Sequence, residues 1–187
     1  GYVKRFASVF GANSLTIDNI AKAIATFERS VVSKNAPYDK YWAGDKSAMS
    51  VSAVNGMKLF FGKAKCTICH NGPVFTDSGF YNIGVKAAGP LKVDLGRYNQ
   101  SKADFDKGAF KTPGLRSISQ SAPYMHNGTE ATLEGVIEFY DRGGDVKKNL
   151  SPFITPLGLT TQEKKDLVEF LIALDGEPIE VVFPDLP

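Results

Sequence analysis

The sequence predicts an all-α, loop-rich domain. Three observations carry that reading. Apolar residues recur at helical spacing in four separate stretches. Strand-like alternation is scarce. And 18 Gly and 10 Pro among 187 residues mark long connections between the helices.

Each element has a local reason. Thr16 or Ser14 caps a helix running to about Val32, with Ile17, Ile20, Ala21, Ile24, Phe27 and Val31 on one face. Asn35–Asp45 holds Pro37 and Gly44 and reads as a turn-rich connection. Ser50 or Ser52 starts a helix through Val54, Met57, Phe60 and Phe61. Residues 71–114 read as mostly loop, punctuated by glycine. Thr132 caps a helix from Leu133 to Tyr140, stopped by Gly143 and Gly144. Thr160 and Glu163 form a capping box ahead of Leu167, Phe170, Leu171 and Leu174, and Gly176 ends that helix. The tail, residues 177–187, carries three prolines and reads as an extended strap. These helices are too few to bury a large core, a deficit that a bulky apolar group at the centre would repair.

Composition excludes several classes. A net charge of +2 with interleaved signs implies neither nucleic acid nor an acidic membrane surface as partner. The longest apolar runs, such as Phe170–Leu174, are far too short to span a bilayer. The first residues lack the basic start and apolar run of a signal peptide, as expected of a processed or partial chain.

The two cysteines and one of the two histidines stand together in "CTICH", residues 66–70. Zinc would need four ligands, usually two separated pairs, and beyond Cys66, Cys69 and His70 only His126 is on offer. A redox dithiol would want a βαβ setting and leaves His70 unexplained. Covalent haem uses every residue: C-x-x-C-H is the attachment signature of c-type haem, with Cys66 and Cys69 forming thioethers and His70 lying under the iron. The fold class then becomes a cytochrome c-like helical domain wrapped around one covalent haem c. Its parts are an N-terminal helix and connection over residues 1–45, a haem domain over 46–176 and an extended tail over 177–187. Haem c attachment also places the protein in the periplasm or an equivalent compartment.

The identity of the sixth ligand sets the chemistry of such a haem. The candidates are Met49, Met57, Met125, His126 and Tyr140. Met49 and Met57 precede the motif and read as core packing. Residue type alone leaves Met125, His126 and Tyr140 open.

At this point the chain resembles a known family. "KCTICHNGPVFTDSGFYNIGV", "DLGRY", "GAFKTPGLRSISQSAPYMHNGTEATLEGVIEFYDRGG" and "LIALDGEPIEVVFPDLP" are similar to the C-terminal haem domain of the bacterial dihaem cytochrome c peroxidase and MauG superfamily. "GANSLTIDNIAKAIATFERSVVSKNAPYDKYWAGD" is similar to the stretch leading into that domain. The resemblance covers nearly all of this chain and about half of a family member; the family's second C-x-x-C-H is missing here. It implies Tyr140 as distal ligand, because MauG-type enzymes place tyrosine where the peroxidases place methionine, with Met125 and His126 in reserve. A phenolate is a hard donor that stabilises ferric and higher iron. The resemblance further implies calcium held partly by the carbonyls of Ser121 and Pro123, completed by an asparagine of the N-terminal domain. It makes Arg97, Lys111 and Arg116 candidates for haem propionates or for the partner domain. His126 reads as a structural or near-haem residue, and Trp42 as packing beside Tyr41.

The expected function is electron transfer or storage of oxidising equivalents within a dihaem peroxidase-like enzyme. The expected partners are an N-terminal haem domain or second haem-bearing polypeptide, and a redox protein. No His, Glu or Gln cluster marks a site for O–O cleavage, so peroxidase activity is expected only when the other haem is joined. The alternatives are a stand-alone monohaem electron carrier or subunit of a larger redox complex, and a haem sensor in which Tyr140 exchanges for a ligand.

Overall fold

The computed structural model describes residues 1–90, 92–181 and 185. They fall into two compact units: residues 35–176, and residues 1–34 with the segment after Gly176. Among the described residues there are seven α-helices and one two-stranded sheet, so the protein is all-α as the periodicity predicts.

In the larger unit, helices α3 (Pro37–Trp42), α4 (Val51–Phe61), α5 (Tyr98–Ser101), α6 (Leu133–Asp141) and α7 (Thr161–Ile172) are joined by long loops. Ser50 caps α4 by accepting the Ala53 N–H at 3.0 Å. Thr160 and Glu163 cap α7 reciprocally. The core is the crossing of α4 and α7. It depends on Gly56, where a Cβ would lie 1.9 Å from the Asp166 carbonyl oxygen. With no side chain there, the backbones touch, and Phe60 meets Phe170 edge-on at 5.1 Å. Phe75 and Tyr38 close the same aromatic cluster. Met49 is buried in this core and Met57 packs against it, as their place before the cysteine motif suggests.

Two expectations need correction. The stretch at Asn35–Asp45 contains helix α3. Pro37 at the first helical position has φ preset and needs no N–H partner, and the Asp39 carboxylate accepts the Ala36 N–H at 3.0 Å. Residues 71–114 are mostly loop, as read, and within them lie α5 and a minimal antiparallel ladder, β1 (Phe80–Tyr81) on β2 (Phe110–Lys111), in the register Phe80↔Lys111 and Tyr81↔Phe110. The first long helix stops at Glu28, short of Val32, because the Ser30 hydroxyl takes the Phe27 carbonyl at 2.6 Å.

The smaller unit holds α1 (Tyr2–Phe10) and α2 (Ile17–Glu28). The first went unforeseen: Gly1 precedes it and offers no side-chain cap. Thr16 caps the second through the Asn19 N–H at 3.3 Å. Neither helix has a buried residue, and Ile17, Ile24 and Phe27 of the predicted apolar face are exposed. The Glu177 N–H donates to the Lys34 carbonyl at 2.9 Å. Residues 182–184, 186 and 187 of the proposed strap lie outside the described residues.

Candidate haem centre

A short turn over residues 62–65 carries α4 into the cysteine motif. The Ala64 N–H bonds back to Leu59, Lys65 turns the chain with φ 55°, and Cys66–Ile68 forms one 3-10 turn. The His70 N–H donates to the Cys66 carbonyl at 2.8 Å, which folds the five residues into a single turn. Both thiols are unpaired and half-buried. Burial pushes the Cys66 thiol up to about 12, and burial followed by the charge of Asp77 raises Cys69. A redox dithiol or a metal thiolate pair wants the opposite shift, so these sulfurs are not poised as thiolates.

His70 is fixed by the core. Its Nδ1 lies 2.9 Å from the Phe75 carbonyl oxygen. With Nδ1–H as donor, the Nε2 lone pair is left for a metal, the usual second-partner arrangement of a ligating imidazole. Burial lowers the His70 pKa, which favours this neutral form. Phe75 aims its carbonyl from a left-handed turn, φ 56°, and its ring is locked among Tyr38, Phe60 and Phe170. Beside it, the Asp77 N–H donates to the Cys69 carbonyl at 2.9 Å, and its carboxylate accepts Tyr81 Oη–H at 2.6 Å and the Gly79 N–H at 2.7 Å.

Tyr140 comes to this place from seventy residues away in sequence. It ends α6, which Thr132 caps and whose Leu133, Ile137 and Phe139 are buried. Its phenol pKa is raised, first by burial and then by the Cys66 and Cys69 thiols. The hydroxyl therefore lies within electrostatic reach of both sulfurs. Three anchors hold it there. Asp141 accepts the Leu159 N–H at 2.8 Å and pairs with Lys164 at 2.7 Å. Gly144, φ 77°, backs onto loop 83–84, where a Cβ would meet the Ile83 carbonyl oxygen at 2.5 Å. Lys147 Nζ donates to the carbonyls of Gly143 at 2.5 Å and Gly144 at 2.8 Å.

Two thiols, an imidazole held through Nδ1 and a buried phenol within their electrostatic reach fit a c-type haem. The other predicted residues are more dispersed. Met125 is half-buried with φ 69°. His126 stacks flat on Phe110 at 3.5 Å, with Nε2 3.8 Å from Asp94. Ser121 and Pro123 are exposed on either side of a cis Ala122–Pro123 bond. Arg97 pairs with Asp106 at 3.1 Å and lies over the Phe80 ring. Lys111 Nζ donates to the Thr112 carbonyl at 3.1 Å. Arg116 is held by Asp39 at 2.7 Å and by the Pro73 carbonyl at 2.9 Å. Sequence reasoning missed Asp77, Tyr81, Asp141, Lys147 and Lys164. Only Asp77 left a local trace, a turn-forming Asp two residues before a glycine.

A family model described as di-haem cytochrome c peroxidase matches residues 1–47. The whole chain aligns at 42% identity with 57% of cytochrome-c peroxidase IdrP1 of Denitromonas iodatirespirans. It aligns at 38% identity with 53% of the methylamine utilization protein MauG of Methylorubrum extorquens. The chain belongs to the dihaem cytochrome c peroxidase and MauG superfamily. A solved member, a MauG-like protein associated with microbial copper homeostasis, superposes with a TM-score of 0.76 at 31% identity, over 91% of this chain and 61% of that one. The chain thus spans somewhat more than half the length of these two curated relatives. It is a redox haem protein of that superfamily, and among the described residues no helix is long and apolar enough to cross a membrane.

Proposed function

We propose that this chain is the C-terminal haem domain of a dihaem, MauG-like oxidoreductase, carrying one haem c that transfers electrons or stores oxidising equivalents. The observation that carries this reading is the buried Tyr140 phenol within electrostatic reach of Cys66 and Cys69, which precede His70 in one turn. Cys66 and Cys69 form the thioethers, His70 Nε2 is the proximal ligand and Tyr140 the distal one, with Met125 in reserve. The bound group supplies reversible one-electron iron chemistry, biased by an anionic oxygen donor toward the ferric and higher states. The protein's part is to hold the imidazole through Phe75 and to hold the phenol through the anchors of α6.

Lys111, Arg97 and Arg116 are the propionate partners in this reading, and the two arginines would have to loosen their pairs with Asp106 and Asp39 to serve. The carbonyls of Ser121 and Pro123 would serve calcium only with donors from an N-terminal haem domain or a second haem-bearing polypeptide. That partner is supported by the greater length of the relatives and by the uncovered apolar faces of α1 and α2. Peroxide chemistry belongs to that partner, a further redox protein exchanges electrons with the pair, and the compartment is the periplasm.

The test is expression with a c-type haem maturation system, followed by electron paramagnetic resonance and near-infrared spectra of the ferric protein and of Tyr140→Phe. A low-spin His/Tyr signature that disappears in the variant supports the assignment. A methionine charge-transfer band in both proteins would remove Tyr140 and promote Met125.

A further inference from the structure

Trp42 is the single tryptophan of the chain, and it does not pack as its neighbourhood in sequence suggests. It is 63% exposed at the end of α3 and makes its edge contact with Tyr38, one turn earlier, at 6.2 Å between ring centroids. Tyr38 meets buried Phe75 at 5.2 Å. The Phe75 carbonyl in turn accepts His70 Nδ1–H at 2.9 Å. An unbroken series of contacts therefore joins a surface indole to the imidazole assigned to the iron.

Indole and phenol are the side chains besides thiols that lose one electron most readily. Tunnelling falls off exponentially with distance, so two short jumps outrun a single long one. The cations around α3 decide where an electron vacancy would rest. The Arg116 guanidinium lies 5.6 Å from the Tyr38 ring and the Lys46 ammonium 4.1 Å from the Tyr41 ring. A cation on a ring face is attracted by its electrons and opposes their removal. Among the described residues no cation lies over the Trp42 ring.

We propose that Trp42 is the surface residue through which an external one-electron donor re-reduces the oxidised haem, with Tyr38 as the bridge. This rests on the haem assignment above and adds the route. One electron would pass from the Trp42 indole to this chain's haem after the partner's peroxide chemistry has withdrawn one from it, so that the haem would be reduced by one equivalent. The indole radical cation then takes one electron from the donor and returns to its starting state. No atom or proton moves.

The route can be run in reverse by flash-quench photolysis of the ferrous, haem-loaded chain. Photogenerated tris(bipyridine)ruthenium(III) takes an electron from the indole, and the ferrous haem refills it and becomes ferric. An indole-radical absorbance should precede haem oxidation. The rate of haem oxidation should fall about tenfold in Trp42→Phe and fall also in Tyr38→Phe. It should persist in Trp42→Tyr, which remains oxidisable, and in Tyr41→Phe. Covalent haem with equal rates in wild type and Trp42→Phe would overturn the route alone. A chain that takes up no covalent haem would overturn the route and the proposed function together.

Discussion

At the scale of single residues, the distal position decides the most. Tyr140→Phe should keep the covalent haem, because Cys66 and Cys69 are untouched. It should raise the midpoint potential, because an anionic donor to ferric iron is lost. The rise should be on the order of 0.1 V, well inside the roughly 0.8 V that axial ligation spans, and a spectroelectrochemical titration reads it. The proposed proximal ligand is set differently. His70 could be read from "CTICH", because spacing alone carries that signature. Its orientation could not, since the acceptor is the backbone carbonyl of Phe75, whose ring is held by residues of three other elements. Tyr140 lay between these cases. Its residue type pointed nowhere, and only its place within a long family motif singled it out. The ties of Asp141 to Lys164 and of Lys147 to the Gly143 and Gly144 carbonyls are products of tertiary folding, with no periodic trace in the chain.

At the scale of elements, local chemistry was legible and its overrides were not. Thr160 with Glu163 is a capping pair in sequence and in space. Removing it by Thr160→Ala should cost about 1 kcal/mol, measurable by denaturant unfolding. Glu163 also pairs with Lys63 at 2.7 Å, and that bond, followed by its bond to the Thr160 N–H, holds its pKa below the usual range. A depressed carboxylate stabilises the fold above its unfolded pKa and loses that contribution as pH falls through the folded one. Wild type should therefore lose more stability than Glu163→Gln between neutral pH and about pH 3, below the ordinary Glu value of about 4.3. Helix α3 was misread because Pro37 and Gly44 look like punctuation, although proline at a first helical position favours the helix. Gly56 sits inside α4, where glycine is intrinsically unfavourable. Its reason is visible only at the crossing. Gly56→Ala must push the Asp166 carbonyl away and should destabilise the domain by about 3 kcal/mol or more, seen as a lowered unfolding midpoint.

At the scale of the whole molecule, the all-α, loop-rich class followed from periodicity and from the glycine and proline content. The suspicion of an incomplete core also has a counterpart. Val74, Phe80 and Phe153 remain 53%, 38% and 47% exposed, and any such apolar area that a haem covers is removed from water at about 25 cal/mol per Å². A Cys66→Ala, Cys69→Ala chain should accordingly melt at a lower temperature, and over a broader range, than the haem-loaded chain when both are followed by circular dichroism. The contact between Glu177 and Lys34 has a different kind of consequence. Residues 35–176 leave the smaller unit and return to it at adjacent points, as a guest segment spliced into a host between two neighbouring stitches. Its own ends are drawn together too, by the Tyr38 N–H on the Ala173 carbonyl at 3.0 Å. Such a segment is in effect a cassette: cut out at its two stitches and closed by a short linker, it could be made circular, or lent to another host, with little added entropy of closure.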